Sequence, residues 1–231
     1  MSPFPFDVVV FDLDGTLADT APDLAAALNH VLGALGRPGV PAESVRGLIG
    51  HGARALLRRG LAATGEGSEA LVELGYPLFL DYYGAHICEG TAAYPGLEQA
   101  LDEILRVGAT IAVCTNKAEA LTSKLLAALG WERRFAAVVG GDTLAVRKPD
   151  PAPLLEAIRR AGGGPAAFVG DSIVDAETAR AADFPFVAVS FGFSDRPVEA
   201  LGADAIIGHY DELGAVLGRL GATKAGAENR S

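Results

Sequence analysis

The ten residues Val10–Asp19, VFDLDGTLAD, constrain this chain more than any other stretch. The β-branched run Val8, Val9, Val10 ends in Phe11, and two aspartates follow one residue apart. Side chains alternate across an extended strand, so Asp12 and Asp14 share one side and Leu13 takes the other. Gly15 and Thr16 then give the backbone a place to turn. Two like charges about 4 Å apart repel by roughly 4 kcal/mol at an effective dielectric near 20. A cation between them relieves that repulsion, and Mg²⁺ takes hard oxygen ligands of this kind. A plain turn after a strand also favours Asp, so the pair needs support from the rest of the chain.

The 231 residues suffice for one large domain, or for one carrying an insert. Half the residues are hydrophobic and the net charge is −10. That charge argues against nucleic acid and against anionic membrane surfaces as partners, because both require a basic face. A small anionic substrate needs only a few well-placed cations. Cys88 and Cys114 have no metal or disulfide spacing and are expected as buried, reduced thiols. The segment MSPFPFDVVVFDLD has no basic leader, and no run of 18 apolar residues occurs, so the expectation is a cytoplasmic protein, monomer or homodimer.

After a strand at about Asp7–Phe11, four helices are predicted without an intervening strand. They begin at Pro22–Asp23, then cover Ala42–Ile49, Gly52–Ala63 and Ser68–Cys88. From Tyr94–Gly96 onward the pattern changes. Helices at Leu97–Arg106, Lys117–Leu129, Pro151–Ala161 and Val174–Ala182 alternate with strands at Thr110–Cys114, Phe135–Val139, Ala166–Val169 and Phe186–Ser190. A strand at Ala205–Ile207 and a helix at Asp211–Leu220 close the series, and the tail Gly221–Ser231 is expected to fray. Such alternation predicts an α/β fold, a doubly wound parallel sheet. Residues 1–18 and 88–231 are expected to form its core, and 19–87 an inserted all-helical cap.

Ligands of such sheets bind at the carboxyl ends of the strands. Four polar clusters fall there: Asp12 with Asp14; Thr115, Asn116 and Lys117; Lys148 in RKPDP; and Gly170–Asp171–Ser172 with Asp175. Singly, each has an ordinary explanation. Asn116 with Glu119 fits a capping box, Asp150–Pro151 fits a helix start, and Asp171 could cap the next helix. Jointly they supply the parts of a metal-assisted phosphoryl-transfer site. Asp12 and Asp171, with a backbone carbonyl near Asp14, could hold Mg²⁺, and Asp175 could support them from outside. Lys148, the Thr115 hydroxyl and the N–H groups of a helix starting at Asn116 could hold phosphate oxygens. Asp12 is then the nucleophile and Asp14 the general acid and base.

DLDGTLADT, CTNK, RKPDP and GDSIVD, in this order, resemble the four motifs of the haloacid-dehalogenase superfamily of phosphatases. The resemblance implies a Rossmannoid core with a helical cap inserted after the first motif. Further segments (PDLAAALN, VRGLIGHGARALL, YPGLEQAL, VVGGDT and GFSDRPVEALGADAII) are similar to the bacterial phosphoglycolate phosphatases, so the likeness covers nearly the whole chain. In that group the nucleophile falls on Asp12 and the acid/base on Asp14. Metal ligands fall on Asp12, Asp14 and Asp171, and phosphate-binding groups on Thr115, Asn116 and Lys148. The chain departs from the group at GDSIVDAETARAADFP, where relatives more often carry a glycine in place of Asp183.

The implied reaction is Mg²⁺-dependent hydrolysis of 2-phosphoglycolate through an aspartyl phosphate. Pyrophosphate, sugar phosphates and N-acetylmuramate 6-phosphate are alternative substrates, and a β-phosphoglucomutase-like phosphotransfer is an alternative reaction. A dehalogenase is disfavoured because those relatives lack the acid that Asp14 supplies. A phospho-accepting receiver domain is shorter and has no cap. Substrate choice is expected to lie in the cap, where Arg54 or His51, beside Gly50 and Gly52, could reach a carboxylate.

Overall fold

The computed structural model describes residues 4–194 and 196–228, with backbone alone from residue 222 onward. Six parallel strands form the main sheet: β1 (Val8–Phe11), β4 (Thr110–Cys114), β5 (Ala137–Val139), β6 (Ala166–Gly170), β7 (Phe186–Val189) and β8 (Ala205–Ile207). Their spatial order is β5-β4-β1-β6-β7-β8. Because β1 pairs with both β4 and β6, the strand order reverses around it, and the crevice of a doubly wound sheet opens at its carboxyl end. Register aligns the three strand ends, with Phe11 opposite Val113 on one side and Val169 on the other.

Both faces of the sheet are covered, which explains near-continuous runs such as VVVF and TIAVC. Val9, Phe11, Ile111, Val113 and Val169 join one core with α1 (Ala21–Ala34), α5 (Leu97–Arg106), α6 (Glu119–Ala128) and α9 (Leu213–Glu228). Val8, Val10, Ala112, Cys114 and Phe168 join the other with α7 (Ala152–Arg160) and α8 (Ile173–Ala182). Cys114 is buried, whereas Cys88 is only half-buried; both are free thiols. No helix among the described residues is long and apolar enough to cross a membrane.

The segment after β1 is helical: α1, α2 (Ala42–Val45) continued by a 3₁₀ turn at Arg46–Leu48, α3 (Ala53–Ala63) and α4 (Glu69–Ala85). Gly60 lets α3 approach α1 closely, since a Cβ there would lie 2.6 Å from Leu28 Cδ1. The chain leaves and re-enters through a two-residue antiparallel ribbon, β2 (Ala18–Asp19) with β3 (Ala92–Ala93). The segment is therefore not wholly strand-free, because Asp19 lies in β2; two residues are too few to show a period. At the start of α1, the buried Asp23 accepts hydrogen bonds from the Gly90 and Thr91 N–H groups and the Thr91 hydroxyl.

Two further expectations are corrected. The predicted helix over Lys117–Leu129 begins only at Glu119, whose N–H is accepted by Asp142. The expected fraying of Gly221–Ser231 does not hold to Glu228, where α9 ends; Asn229–Ser231 lie outside the described residues. Alanine-rich sequence favours continuing a helix that is already nucleated.

Candidate active site

Each adjoining strand end delivers one acidic or hydroxyl side chain to the crevice. Asp12 follows β1, Thr115 follows β4 and Asp171 follows β6, all buried. Lys148, from the loop after β5, is also buried. Its Nζ lies 3.0 Å from Asp12 Oδ1 and 2.6 Å from Asp175 Oδ1. Asp175 is in turn bonded through Oδ2 to the Ser172 N–H and hydroxyl, at 3.1 and 2.6 Å. Ser172, not Asp171, caps α8, in a capping box with Asp175.

Asp171 is held by the Thr16 hydroxyl at 3.0 Å and the Phe193 N–H at 2.6 Å. Gly15 packs directly against its carboxylate with φ +83°, so a side chain there would be both strained and obstructed. Asp12, Asp171 and Asp175 present oxygens all within 4.8 Å of one another. Burial raises the Asp12 carboxyl to about 7, with Asp175 and Asp14 adding to the rise and Lys148 opposing it. Burial, then Asp175 and Asp12, push Asp171 well above the usual carboxylate range. Lys148 stays protonated, because the two carboxylates outweigh the cost of burying it. A crowded, dry set of carboxylate oxygens with too little positive charge fits a hard divalent cation. Asp175 is the most heavily engaged of the three, taking the Lys148 ammonium on one oxygen and two bonds from Ser172 on the other, whereas each Asp171 oxygen accepts a single hydrogen bond.

Asp14 stands apart from this cluster. Its Oδ1 accepts from the Thr20 hydroxyl at 2.7 Å and lies 2.9 Å from Lys117 Nζ. Lys117 is buried and bonds the Tyr83 hydroxyl at 3.0 Å. Lys117 belongs to the second polar cluster in the sequence, but its pairing with Asp14 and Tyr83 is not legible there, since Tyr83 lies 34 residues away on another helix.

Asp12, Asp14, Thr115, Asn116 and Lys117 line a cavity of about 170 Å³ whose far wall is formed by α3 and α4, through Leu56, Phe79 and Tyr83 among others. The Thr115 hydroxyl accepts the Lys117 N–H at 3.3 Å, which leaves its own hydrogen to donate. The Asn116 amide does not form the capping box with Glu119. Its Nδ2 donates to the Gly50 and Lys148 carbonyls at 3.2 and 3.1 Å, tying the loop before α3 to the lysine loop. Arg54 lines the cavity, but its guanidinium is ion-paired with Glu73 and stacked on Tyr76, 4.0 Å from the ring centroid. His51 lies instead along a neighbouring basic cleft with Arg58, Arg59 and Arg147.

A parallel sheet with acidic side chains gathered at its switch point defines the class of α/β proteins that bind small ligands across adjoining strand ends. Within that class, the family model of haloacid dehalogenase-like hydrolases matches residues 6–183, and the chain belongs to this family. It is 46% identical over 209 residues to phosphoglycolate phosphatase of Mesorhizobium japonicum, covering 89% of this chain and 92% of that protein. It is 44% identical over 206 residues to phosphoglycolate phosphatase of Caulobacter vibrioides, covering 86% and 85%. The crystal structure of a predicted phosphoglycolate phosphatase from Haemophilus somnus superposes with a TM-score of 0.84 at 30% identity, covering 90% of this chain and 96% of that one.

Proposed function

We propose that the protein is a phosphomonoesterase of small metabolites that depends on a divalent cation, Mg²⁺, and acts on 2-phosphoglycolate. The observation that carries this reading is the convergence of Asp12, Asp171, Thr115 and Lys148 at three adjoining strand ends and the next loop. The names of the bacterial relatives support the substrate. Held by Asp12, Asp171 and a backbone carbonyl near Asp14, with Asp175 supporting from outside, the cation would neutralise charge on the transferring phosphoryl group.

Lys148 and the Thr115 hydroxyl orient the phosphate oxygens, and Asn116 holds the lysine loop in place. Asp12 attacks phosphorus, forming an aspartyl phosphate as the ester bond breaks. Asp14 gives its proton to the departing alkoxide, then takes one from the water whose oxygen attacks the intermediate, which frees the Asp12 carboxylate and returns Asp14 to its protonated form. Residues 19–87 act as a cap over a core of 1–18 and 88–231, excluding bulk water. Arg54 can recognise the substrate carboxylate by exchanging it for Glu73. The two free thiols suit a reducing cytoplasm.

A phosphate-release screen with Mg²⁺ tests the reading. Phosphoglycolate should exceed pyrophosphate, sugar phosphates and amino-sugar phosphates by at least ~10-fold in kcat/KM, a discrimination of about 1.4 kcal/mol. Preference for another of these overturns the substrate, and absence of phosphate release overturns the reaction.

A further inference from the structure

The Asp14 carboxylate is held by two groups, and one of them is held in turn by a third part of the chain. Lys117 comes from the loop after β4 and Thr20 from the cap position of α1, and Lys117 is itself held by Tyr83 of α4. The grip is dry: Thr20 and Tyr83 are fully buried, and the Lys117 side chain is 4% exposed against 13% for Asp14. The Lys117 ammonium also sits 4.6 Å from the Tyr83 ring centroid, so the tyrosine contacts the cation with both its hydroxyl and its face. A lysine rooted in the core alone would be free to swing toward other carboxylates; a tyrosine from α4 fixes its direction. Asp14, Lys117 and Tyr83 all line the same cavity.

We propose that Lys117 and Tyr83 are positioning residues for Asp14, aligning its carboxylate for proton transfer only when α4 is seated on the core. This rests on the reading of Asp14 as the acid/base. Both contacts converge on Oδ1, which leaves Oδ2 as the oxygen that exchanges the proton. An alkoxide departing before α4 is seated meets an undirected acid, so phosphoryl transfer is tied to the closed arrangement.

The test compares kcat/KM for phenyl phosphate and p-nitrophenyl phosphate, with Mg²⁺, in the full-length protein and three variants. The first ester needs protonation of its leaving group far more than the second, and neither carries a second anionic group that Lys117 could bind. Loss of general-acid help of the usual ~10²–10⁴-fold steepens this leaving-group dependence. The p-nitrophenyl to phenyl ratio should rise at least ~10-fold in Asp14→Asn and Lys117→Met, and by roughly 2–5-fold in Tyr83→Phe, which removes one oxygen.

A purely structural role would lower both esters by the same factor. The proposal is overturned if the ratio rises in Asp14→Asn but stays within about 2-fold in Tyr83→Phe and in any folded Lys117→Met protein. An unchanged ratio in Asp14→Asn itself refutes the acid/base role, and the positioning role falls with it.

Discussion

Asp12 holds its proton in the folded chain up to about pH 7, against an ordinary value near 3.8. Between those values the folded state binds more protons than the unfolded one, so this group makes the metal-free protein less stable as pH rises. Asp171 is shifted in the same direction, again by burial first. A divalent cation bound by both carboxylates removes that penalty where they are ionised. The rise in melting temperature on adding Mg²⁺ should therefore be larger at pH 7.5 than at pH 5, as read by a thermal scan. Equal rises at both values contradict the assignment of Asp12 and Asp171 as ligands. Asp183 has a comparably local geometry. It ends α8 with φ +59°, in the left-handed region that favours glycine and that Asp tolerates.

Among the elements, α1–α4 are anchored to the core where the chain leaves and returns. The outgoing chain and the returning chain meet at β2 and β3, and Asp23 of α1 ties down the return by accepting three hydrogen bonds from Gly90 and Thr91. Asp23→Ala would leave two backbone N–H groups without that acceptor, at a cost of about 1–3 kcal/mol for each one that stays buried. Urea unfolding should register the loss. In activity, KM for the phosphomonoester should rise more than kcat falls, because Asp12 and Asp171, the carboxylates proposed to act at the phosphoryl group, follow β1 and β6 outside the anchored segment. A fall confined to kcat, with stability intact, would contradict an anchoring role.

At the scale of the whole molecule, much of the architecture is legible in the chain, because both faces of the sheet are buried. Strands such as TIAVC stand out as unbroken apolar runs, and α5 repeats Leu97, Ala100, Leu101 and Ile104 on one face. Asp12, Thr115 and Asp171 are legible for a related reason, since each follows directly on a strand end, whereas Lys148 sits in the loop after β5 and is marked by the motif RKPDP. The Asn116 clamp and the Lys117–Tyr83 pair are not, because their partners lie 32 to 66 residues away and meet only after folding. Arg54 shows the reverse. Its position beside the cavity was foreseeable, but its pairing with Glu73 belongs to the packing of α3 on α4.

The proposed reaction depends on covalent capture by Asp12, and the phosphorylated intermediate can be trapped. In the Asp14→Asn protein, p-nitrophenyl phosphate can still phosphorylate Asp12, because its leaving group needs little acid, whereas hydrolysis of the acyl phosphate lacks its base. Mixing this variant with p-nitrophenyl phosphate and Mg²⁺ should release a burst of about one nitrophenolate per chain, followed by a slow phase. Acid quenching, borohydride reduction and peptide mass analysis should then place the reduced acyl group on Asp12. A reduced acyl group on any other residue, or a burst that leaves Asp12 unmodified, would contradict the account.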